Sequence, residues 1–238
     1  MNREIADRLL KETRENYDSI AESFSQTRNY VWPDIKSLVG GYSKAGQRIL
    51  DIGCGNGRYY PAFKEKGTAY VGIDNSRNLI AIAKNKFPGA EFMVGDALSL
   101  PFGESEFDLA VSVAVLHHIP SKDYRRVFFD EAYRVLKPGG WLIVTAWDLR
   151  PLSMAKAKRW RWLKSFIRGQ LMIVAGSKLD FGDFFIPWQN RCQRYIHSFS
   201  LGELKKFAAS SGFRTIAFGA KEGNLYIVAK KCEKDNGA

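Results

Sequence analysis

Three glycines at alternate positions, directly after an apolar run, constrain the fold of this chain more than any other feature. The run Ile49-Leu-Asp-Ile52 is typical of the end of a buried strand, and glycines follow at positions 53, 55 and 57. Glycine adopts backbone angles closed to other residues and leaves no Cβ in the way of a ligand. A short helical pattern over 58–67 comes next. This order of strand, turn and helix is how α/β proteins bring bare backbone to a nucleotide-like ligand.

An acid at the end of the next strand supports a ligand-binding turn. The strand pattern 69–74 ends in Asp74, about 20 residues after the turn, where a carboxylate can accept hydrogen bonds from ribose hydroxyls. The spacing is not the dinucleotide fingerprint G-x-G-x-x-G, and Asp51 stands two residues before the first glycine. A plain strand-to-helix turn is the alternative, and the joint presence of turn and acid argues against it.

Length and composition favour a single α/β domain over 1–238. The apolar runs are too short for a membrane span and the start is charged, so we expect no transmembrane helix, no signal peptide and no stable membrane association. The three cysteines show no paired or metal-like spacing, which predicts a reducing, cytoplasmic location and no metal site. A net charge of +11 favours an anionic partner such as nucleic acid, although a merely basic protein is the alternative.

Strand and helix patterns alternate from Arg48 onwards, which predicts a mostly parallel sheet with helices on both faces, a Rossmann-like α/β fold. Near the end, Ser200 begins a capping box, and alternating runs at 214–219 and 225–230 predict an antiparallel hairpin. The carboxyl ends of parallel strands meet at one rim, where ligands bind. The side chains expected there are Asp51, Asp74, Asp96, His117 and Trp147. Asp96 can accept a hydrogen bond from an exocyclic amine such as that of adenine, or simply cap the next turn.

Two regions lie outside this alternation. Residues 3–26 have the periodicity of an amphipathic helix, and a second helix is predicted from Pro33 to the glycine pair at 40–41. We interpret 1–41 as a helical lid over the cofactor pocket, with packing against the sheet edge as the alternative. The other region, 150–199, is a basic and aromatic insertion on the substrate side.

The insertion is basic in its first part. Between 150 and 178 it has eight cationic residues and no acid, with three aromatic residues among them. The cations are Arg150, Lys156, Lys158, Arg159, Arg161, Lys164, Arg168 and Lys178, and the aromatic residues are Trp160, Trp162 and Phe166. Cations for phosphates and flat rings for bases suit an RNA surface. A solvated amphipathic helix and an anionic membrane or partner surface remain as alternatives.

The glycine turn, as D-x-G-x-G-x-G from Asp51, resembles motif I of class I S-adenosylmethionine-dependent methyltransferases. Further stretches make the resemblance more specific. They are Tyr17-Asp-Ser-Ile-Ala, Phe24-Ser-Gln-Thr-Arg28, Trp32-Pro33, Ser112-Val-Ala-Val-Leu-His-His118, Phe185-Ile-Pro-Trp188 and Arg194-Tyr-Ile-His-Ser-Phe199. From about residue 15 onwards the chain is similar to the tRNA wobble-uridine carboxymethyl methyltransferases, although the basic stretch 152–178 has no match in that family.

The resemblance implies the cofactor S-adenosyl-L-methionine and a reaction at the tRNA anticodon loop, where the carboxylate of 5-carboxymethyluridine becomes a methyl ester. The implied cofactor residues are Asp51, Gly53, Cys54, Gly55, Gly57, Asp74, Asn75, Asp96, Ala97 and Ser112. The implied substrate residues are Arg28, Trp32, His117 and Trp147. A small zinc-binding activator protein that pairs with the sheet edge is a further implied partner.

The chemistry implied by the resemblance suits these residue types. A carboxylic acid with a pKa near ~4 is already ionised at neutral pH, so no general base is needed. The planar guanidinium of Arg28 can bind a carboxylate by two parallel hydrogen bonds, and the indole ring of Trp32, Trp147 or Trp188 can stack on uracil. The alternatives are that Arg28 pairs with a nearby acid, that the indoles belong to the core, and that His117 orients a loop. His118 is expected to pack or cap, and Arg194, Tyr195 and His197 to contact tRNA or make structural hydrogen bonds.

Two other classes of function remain open. The run Val115-Leu-His-His-Ile119 also resembles methyltransferases of small quinone- or lipid-like acceptors. A non-catalytic module that binds cofactor or RNA is the second class, and the intact glycine turn with both downstream acids argues against it.

Overall fold

The structure is a computed structural model that describes residues 1–149, 156–174, 176–189 and 191–232, with only the backbone described for 156–162. The helices are α1 (Arg3–Thr27), α2 (Pro33–Gly41), α3 (Tyr60–Lys64), α4 (Arg77–Lys86), α5 (Lys122–Val135), α6 (Lys156–Val174) and α7 (Leu201–Ser210), with a 3-10 turn at Leu116–His118. The strands are β1 (Arg48–Ile52), β2 (Ala69–Asp74), β3 (Glu91–Val94), β4 (Phe107–Val113), β5 (Leu136–Trp147), β6 (Asp183–Trp188), β7 (Cys192–His197), β8 (Phe213–Lys221) and β9 (Asn224–Lys231).

Seven of these strands form one sheet in the order β3-β2-β1-β4-β5-β9-β8. The strands from β1 to β5 run parallel, and β9 is antiparallel to both β5 and β8. The predicted Rossmann-like sheet and its C-terminal antiparallel hairpin are thereby confirmed. Between β3 and β4 the chain crosses over β2 and β1. The carboxyl ends of β1 and β4 therefore flank the point where the strand order reverses, and open α/β sheets bind ligands at such a point.

Both faces of the sheet are covered, because its central strands are apolar on both sides. In β1, Ile49 faces the side of the sheet packed by α2, α3 and α4, whereas Leu50 faces α5 and α7, and neither is exposed. Strands buried on both faces are typical of parallel sheets. This double burial holds the strand ends in fixed positions at the rim.

Helix ends follow local capping chemistry. The Asn2 side chain accepts a hydrogen bond from the Ile5 amide at the start of α1, and Ser200 does the same for Glu203 at α7. The helix α1 begins where the amphipathic pattern predicts and extends one residue beyond it. Among the described residues, none of the helices is long and apolar enough to cross a membrane.

The insertion contains a small antiparallel sheet, β6–β7, that the sequence analysis did not predict. The strand β6 is a short, mostly apolar run, whereas β7 mixes polar and apolar residues, so no simple periodicity indicates their pairing. The helix α6 packs on this sheet through Phe166, whose ring meets that of Phe184 edge to face at 5.6 Å. Three of the predicted RNA-contacting cations, Lys164, Arg168 and Lys178, are at least partly exposed. The side chains of Arg150, Lys156, Lys158, Arg159, Trp160, Arg161 and Trp162 lie outside the described part of the chain.

A buried ion pair attaches β6–β7 to the main domain. The Arg125 guanidinium of α5 donates to Asp183 (3.2 Å) and to the Tyr195 hydroxyl (2.8 Å), and no part of the Arg125 or Asp183 side chain is exposed. The Tyr195 hydroxyl and the His197 ring also contact the Asp183 carboxylate, at 2.6 and 2.7 Å. His197 in turn reaches Glu203 at 3.0 Å, and although burial alone would raise the pKa of Glu203, this hydrogen bond holds it below its usual range.

We expect Arg125→Met to destabilise the protein by about 3–5 kcal/mol, because it leaves the Asp183 carboxylate buried without its cation. Arg126→Met is the matched control, since Arg126 forms only an exposed pair with Asp130 at 3.8 Å. An exposed pair of that kind is worth at most ~1 kcal/mol. Urea unfolding of both variants measures the difference, and equal losses would contradict a stabilising role for the buried pair.

Candidate functional site

A cavity opens at the carboxyl ends of β1, β2, β4 and β5, with an empty volume of about 1130 Å³ that is partly open to solvent. Most of the sequence-predicted site residues line it, namely Arg28, Trp32, Asp51, Gly53, Cys54, Gly55, Asp74, Asn75, Asp96, Ala97 and Trp147. The cavity also has walls from α1, including Tyr17 and Phe24. Of the five side chains expected at the strand ends, four line this cavity, namely Asp51, Asp74, Asp96 and Trp147.

The glycine turn forms the floor of this cavity. The amides of Gly53 and Cys54 donate to the Ile73 carbonyl at 2.7 and 3.0 Å, and the Gly55 amide donates to the Asp74 carboxylate at 2.9 Å. Gly53 has a φ of +76°, and a Cβ there would lie 2.3 Å from Val115. Gly55 has a φ of +57°, and a Cβ there would meet protein only at 3.9 Å, so that Cβ would project into the cavity. The turn is thus shaped to leave room for a ligand.

Two carboxylates stand beside this turn, the buried Asp51 and the half-buried Asp74. Asp51 accepts a hydrogen bond from the Tyr70 hydroxyl at 2.8 Å, and burial raises the pKa of Asp51 to about 7. Burial also raises the pKa of Asp74, against the effect of backbone amides that donate to it. Asp96 accepts from the Leu98 amide at 2.9 Å, so the turn-capping role coexists with its place in the cavity wall.

We expect the affinity for S-adenosylmethionine to rise roughly eightfold between pH 6 and 7.5. Asp51 has a pKa of about 7, so its ionised fraction increases over this range, and a carboxylate attracts the cationic cofactor better than a neutral acid does. Calorimetric titration at several pH values measures the change. Asp51→Asn should bind with an affinity that does not vary with pH, and a wild-type affinity that is flat or falls over the same range would contradict this assignment.

The helix α1 covers the cavity and is attached at several points. Asp18 accepts a hydrogen bond from the Ser76 hydroxyl at 2.6 Å, and Asn56, within the glycine turn, donates to Ser25 at 3.0 Å. On the opposite side, Asn16 donates to the Gln193 carbonyl of β7 at 2.9 Å. The helix α1 is thus attached both to the glycine turn and to the β6–β7 sheet.

A hydrogen-bonded pair that no sequence pattern indicated joins α1 to the 3-10 turn at Leu116–His118. The Tyr17 hydroxyl lies 2.7 Å from His118 Nε2, and His118 Nδ1 lies 3.0 Å from the Tyr195 carbonyl. A carbonyl only accepts, so Nδ1 bears the proton and Nε2 accepts from Tyr17. Burial, with a smaller effect of Arg194, lowers the pKa of His118 to about 3, and the ring is neutral at physiological pH.

Some predicted site residues are placed elsewhere. His117 is fully buried and is not among the cavity-lining residues; its ring stacks on Trp147 at 4.5 Å and accepts from the Trp147 amide at 3.3 Å. Ser112 is fully buried in β4, one residue before the cavity wall begins. Gly57 has a φ of +72° and packs against Phe92, so it shapes the turn from behind. For His117 and Ser112, the next residue along the chain is the one that lines the cavity.

Three arginines lie near Trp32 and Trp147, at what we call the acceptor end of the cavity. They are Arg28, Arg58 and Arg194, and within the described ranges none of them forms an ion pair. The Arg28 guanidinium lies 5.4 Å from the Phe24 ring and 5.6 Å from Trp188, and Arg58 lies 4.6 Å from Trp32. Burial lowers the pKa of Arg28, and the charges of Arg58 and Arg194 lower it further. This excess of positive charge suits a ligand with carboxylate groups. No pattern in the sequence distinguished Arg58 from other arginines.

The residues present fit S-adenosyl-L-methionine. The turn leaves Gly55 facing open space, Asp74 and Asp96 line the same cavity and could accept hydrogen bonds from a ribose and an adenine, and Asp51 offers a carboxylate to a cation. Bound there, the cofactor would supply an electrophilic methyl group on a sulfonium. No group of three or more metal-ligating side chains occurs among the described residues.

Comparison with known proteins agrees with this geometry. Residues 50–144 match the family described as methyltransferase domain. The chain is 32% identical to an Encephalitozoon cuniculi protein named as a methyltransferase, with 90% of this chain and 93% of that protein covered. It is 29% identical to the tRNA (carboxymethyluridine(34)-5-O)-methyltransferase of Schizosaccharomyces pombe, with 90% and 94% covered. The enzyme of the same name from Arabidopsis thaliana is 38% identical over 60% of this chain, which spans about a third (34%) of that relative.

Solved structures show the same fold. A Methanosarcina mazei protein described as a SAM-dependent methyltransferase superposes with a TM-score of 0.71 at 27% identity, covering 86% of this chain and 99% of that one. A Haloferax volcanii methyltransferase in complex with the Trm112 methyltransferase activator superposes with a TM-score of 0.67 at 16% identity, covering 94% and 100%. The chain therefore belongs to the class I S-adenosylmethionine-dependent methyltransferases and is related to the tRNA carboxymethyluridine methyltransferases.

Proposed function

We propose that this enzyme methylates the carboxylate of 5-carboxymethyluridine at the wobble position of tRNA, forming the methyl ester. The observation that supports this most is Arg28, a half-buried arginine at the acceptor end of the cofactor cavity that has no carboxylate partner among the described residues. A planar guanidinium binds a carboxylate by two parallel hydrogen bonds and so fixes both of its oxygens.

The proposed mechanism needs positioning rather than proton transfer. The substrate carboxylate is already an anion, and bound cofactor would supply the methyl group, whose bonding electrons would stay on sulfur. Arg28 would position one carboxylate oxygen for transfer, while Trp32 and Trp147 would form walls for the pyrimidine ring. The wall that α1 forms limits the access of water to the site.

Further features support an RNA substrate in the cytoplasm. The net charge of +11 favours a polyanion, and Lys164, Arg168 and Lys178 are exposed on the insertion, whose strand β7 contacts α1. We also propose that α1 acts as a lid and that a small activator protein pairs with the free edge of β3, where Val94 is 47% exposed. The Haloferax complex makes such a partner worth testing.

The test uses methyl-labelled S-adenosylmethionine and tRNA that contains 5-carboxymethyluridine, with and without an activator of the Trm112 type. We expect label in the tRNA that mild alkali releases as methanol, because esters hydrolyse where ring and ribose methyl groups do not. Alkali-resistant label would move the methyl group to a ring or ribose atom. Absence of label even with the activator would favour a small quinone- or lipid-like acceptor.

A further inference from the structure

Two of the arginines whose side chains the structure describes are almost completely buried, and they differ in how their charge is compensated. Arg125 is fully buried beside the fully buried Asp183 carboxylate, at 3.2 Å. Arg194 is 6% exposed, forms no ion pair among the described residues, and has a buried Nε without a hydrogen-bond partner. Because a buried cation is costly unless an anion compensates it, the missing anion of Arg194 is expected from a ligand.

The contacts of Arg194 place its guanidinium next to the acceptor end of the cavity. Its guanidinium lies 4.7 Å from the Trp188 ring and 5.3 Å from the Trp147 ring, and it donates weakly to the Tyr17 hydroxyl at 3.5 Å. Tyr17 and Trp147 both line the cavity. Arg194 thus stands directly behind two cavity-lining side chains, held by indole rings that contribute no charge.

Arg194 belongs to a different element from the glycine turn that is expected to hold the cofactor. Arg58 directly follows the glycine turn, whereas Arg194 belongs to β7, which reaches the site from the side of α1 and the 3-10 turn at Leu116–His118. Of the two carboxylates in the proposed reaction, we therefore expect that of the cofactor's amino-acid portion to lie nearer Arg58. The substrate carboxylate is left for Arg194, together with Arg28.

We propose that Arg194 determines specificity by selecting an acceptor that carries a negative charge, so that the carboxymethyl group is preferred over its neutral amide. This inference rests on the proposed function. Arg194 acts through the cavity wall: its charge stabilises an anion beside Tyr17, and a neutral carbamoylmethyl group leaves that charge uncompensated. Arg28 provides the direct hydrogen bonds, and Arg194 provides the additional charge.

The experiment measures binding rather than turnover. Anticodon stem-loop RNAs with either 5-carboxymethyluridine or 5-carbamoylmethyluridine at the wobble position are titrated into protein saturated with S-adenosylhomocysteine, and tryptophan fluorescence is followed. We expect the wild type to prefer the acid at least about tenfold, Arg194→Gln to lose most of that preference, and Arg194→Lys to keep much of it, because charge interactions at this depth are weakly screened. Arg214→Gln, which removes one exposed charge from β8, is the matched control and should keep the wild-type preference.

Other outcomes would overturn the inference. Equal affinity of the wild type for the two RNAs would do so, as would an unchanged preference in Arg194→Gln with an unchanged unfolding midpoint. A tenfold loss of S-adenosylhomocysteine affinity in Arg194→Gln would assign the charge to the cofactor's carboxylate instead. If the wild type methylates carboxymethyluridine while Arg194→Gln keeps the preference for the acid, the inference fails and the proposed function stands. If the wild type prefers the acid but transfers no methyl group, the proposed function fails and the selection of a negative charge stands.

Discussion

Arg28→Ala should lower kcat/KM for methyl transfer about 10³-fold while leaving the affinity for S-adenosylmethionine within about threefold. A bidentate, charge-assisted contact to a carboxylate is worth about 3 kcal/mol or more, and loss of alignment with the methyl group adds to that. The structure supports this role, because Arg28 ends α1 beside Phe24 and Trp188 and its side-chain hydrogen bonds are weak contacts to Thr27 at 3.3 and 3.5 Å.

The control for this variant is Arg8→Ala on the same helix. Arg8 is exposed, pairs with Glu12 at 3.8 Å and is not among the cavity-lining residues, so its loss removes the same charge from the protein surface. Cofactor affinity is measured by calorimetry and transfer by release of labelled methanol. Near wild-type transfer by Arg28→Ala would show that Arg28 does not bind the substrate carboxylate, and a parallel loss of cofactor affinity would show that it binds the cofactor.

Gly55→Ala should weaken binding of S-adenosylmethionine about 10³-fold, or about 4 kcal/mol. The new methyl group would meet no protein atom closer than 3.9 Å, yet it would project from the turn into the cavity where the ligand must approach the backbone. Stability should fall by only about 1 kcal/mol, which is the cost of a positive φ for alanine.

Gly46→Ala separates these two effects. Gly46 has a φ of +77°, a Cβ added there would have nothing within 4 Å, and the residue stands in the loop before β1, away from the cavity. The two variants should therefore lose similar stability in urea unfolding, and only Gly55→Ala should lose cofactor affinity. If both variants bind the cofactor equally well, the turn does not contact it.

Local patterns predicted the parts of this fold that local forces determine. Alternating strands and helices indicated the parallel sheet, and the capping residue Ser200 lies where α7 begins. The strand-end rule brought Asp51, Asp74 and Asp96 to one cavity, because parallel strands place their carboxyl ends at one rim. These inferences needed no knowledge of contacts between distant segments.

The remaining features depend on contacts between distant segments. Residues 117 and 118 are both histidines, and only the 3-10 turn decides that His118 faces the cavity and His117 packs behind Trp147. The role of Arg194 depends on β7, a short strand whose pairing with β6 no periodicity indicated. Tyr17 belongs to an amphipathic stripe, so nothing in the sequence separated its hydroxyl from an ordinary core position.

The uncompensated arginines around the acceptor end also bear on how a catalytic cycle finishes. In the proposed reaction the substrate carboxylate and the cofactor's sulfonium lose their charges together, so the ester no longer offers Arg28 and Arg194 an anion to bind. The attraction of these arginines for the substrate is then lost while the product is still bound, and this favours departure of the ester. The reaction would thus weaken the binding of its own product, and modified tRNA would compete poorly with unmodified tRNA for the enzyme.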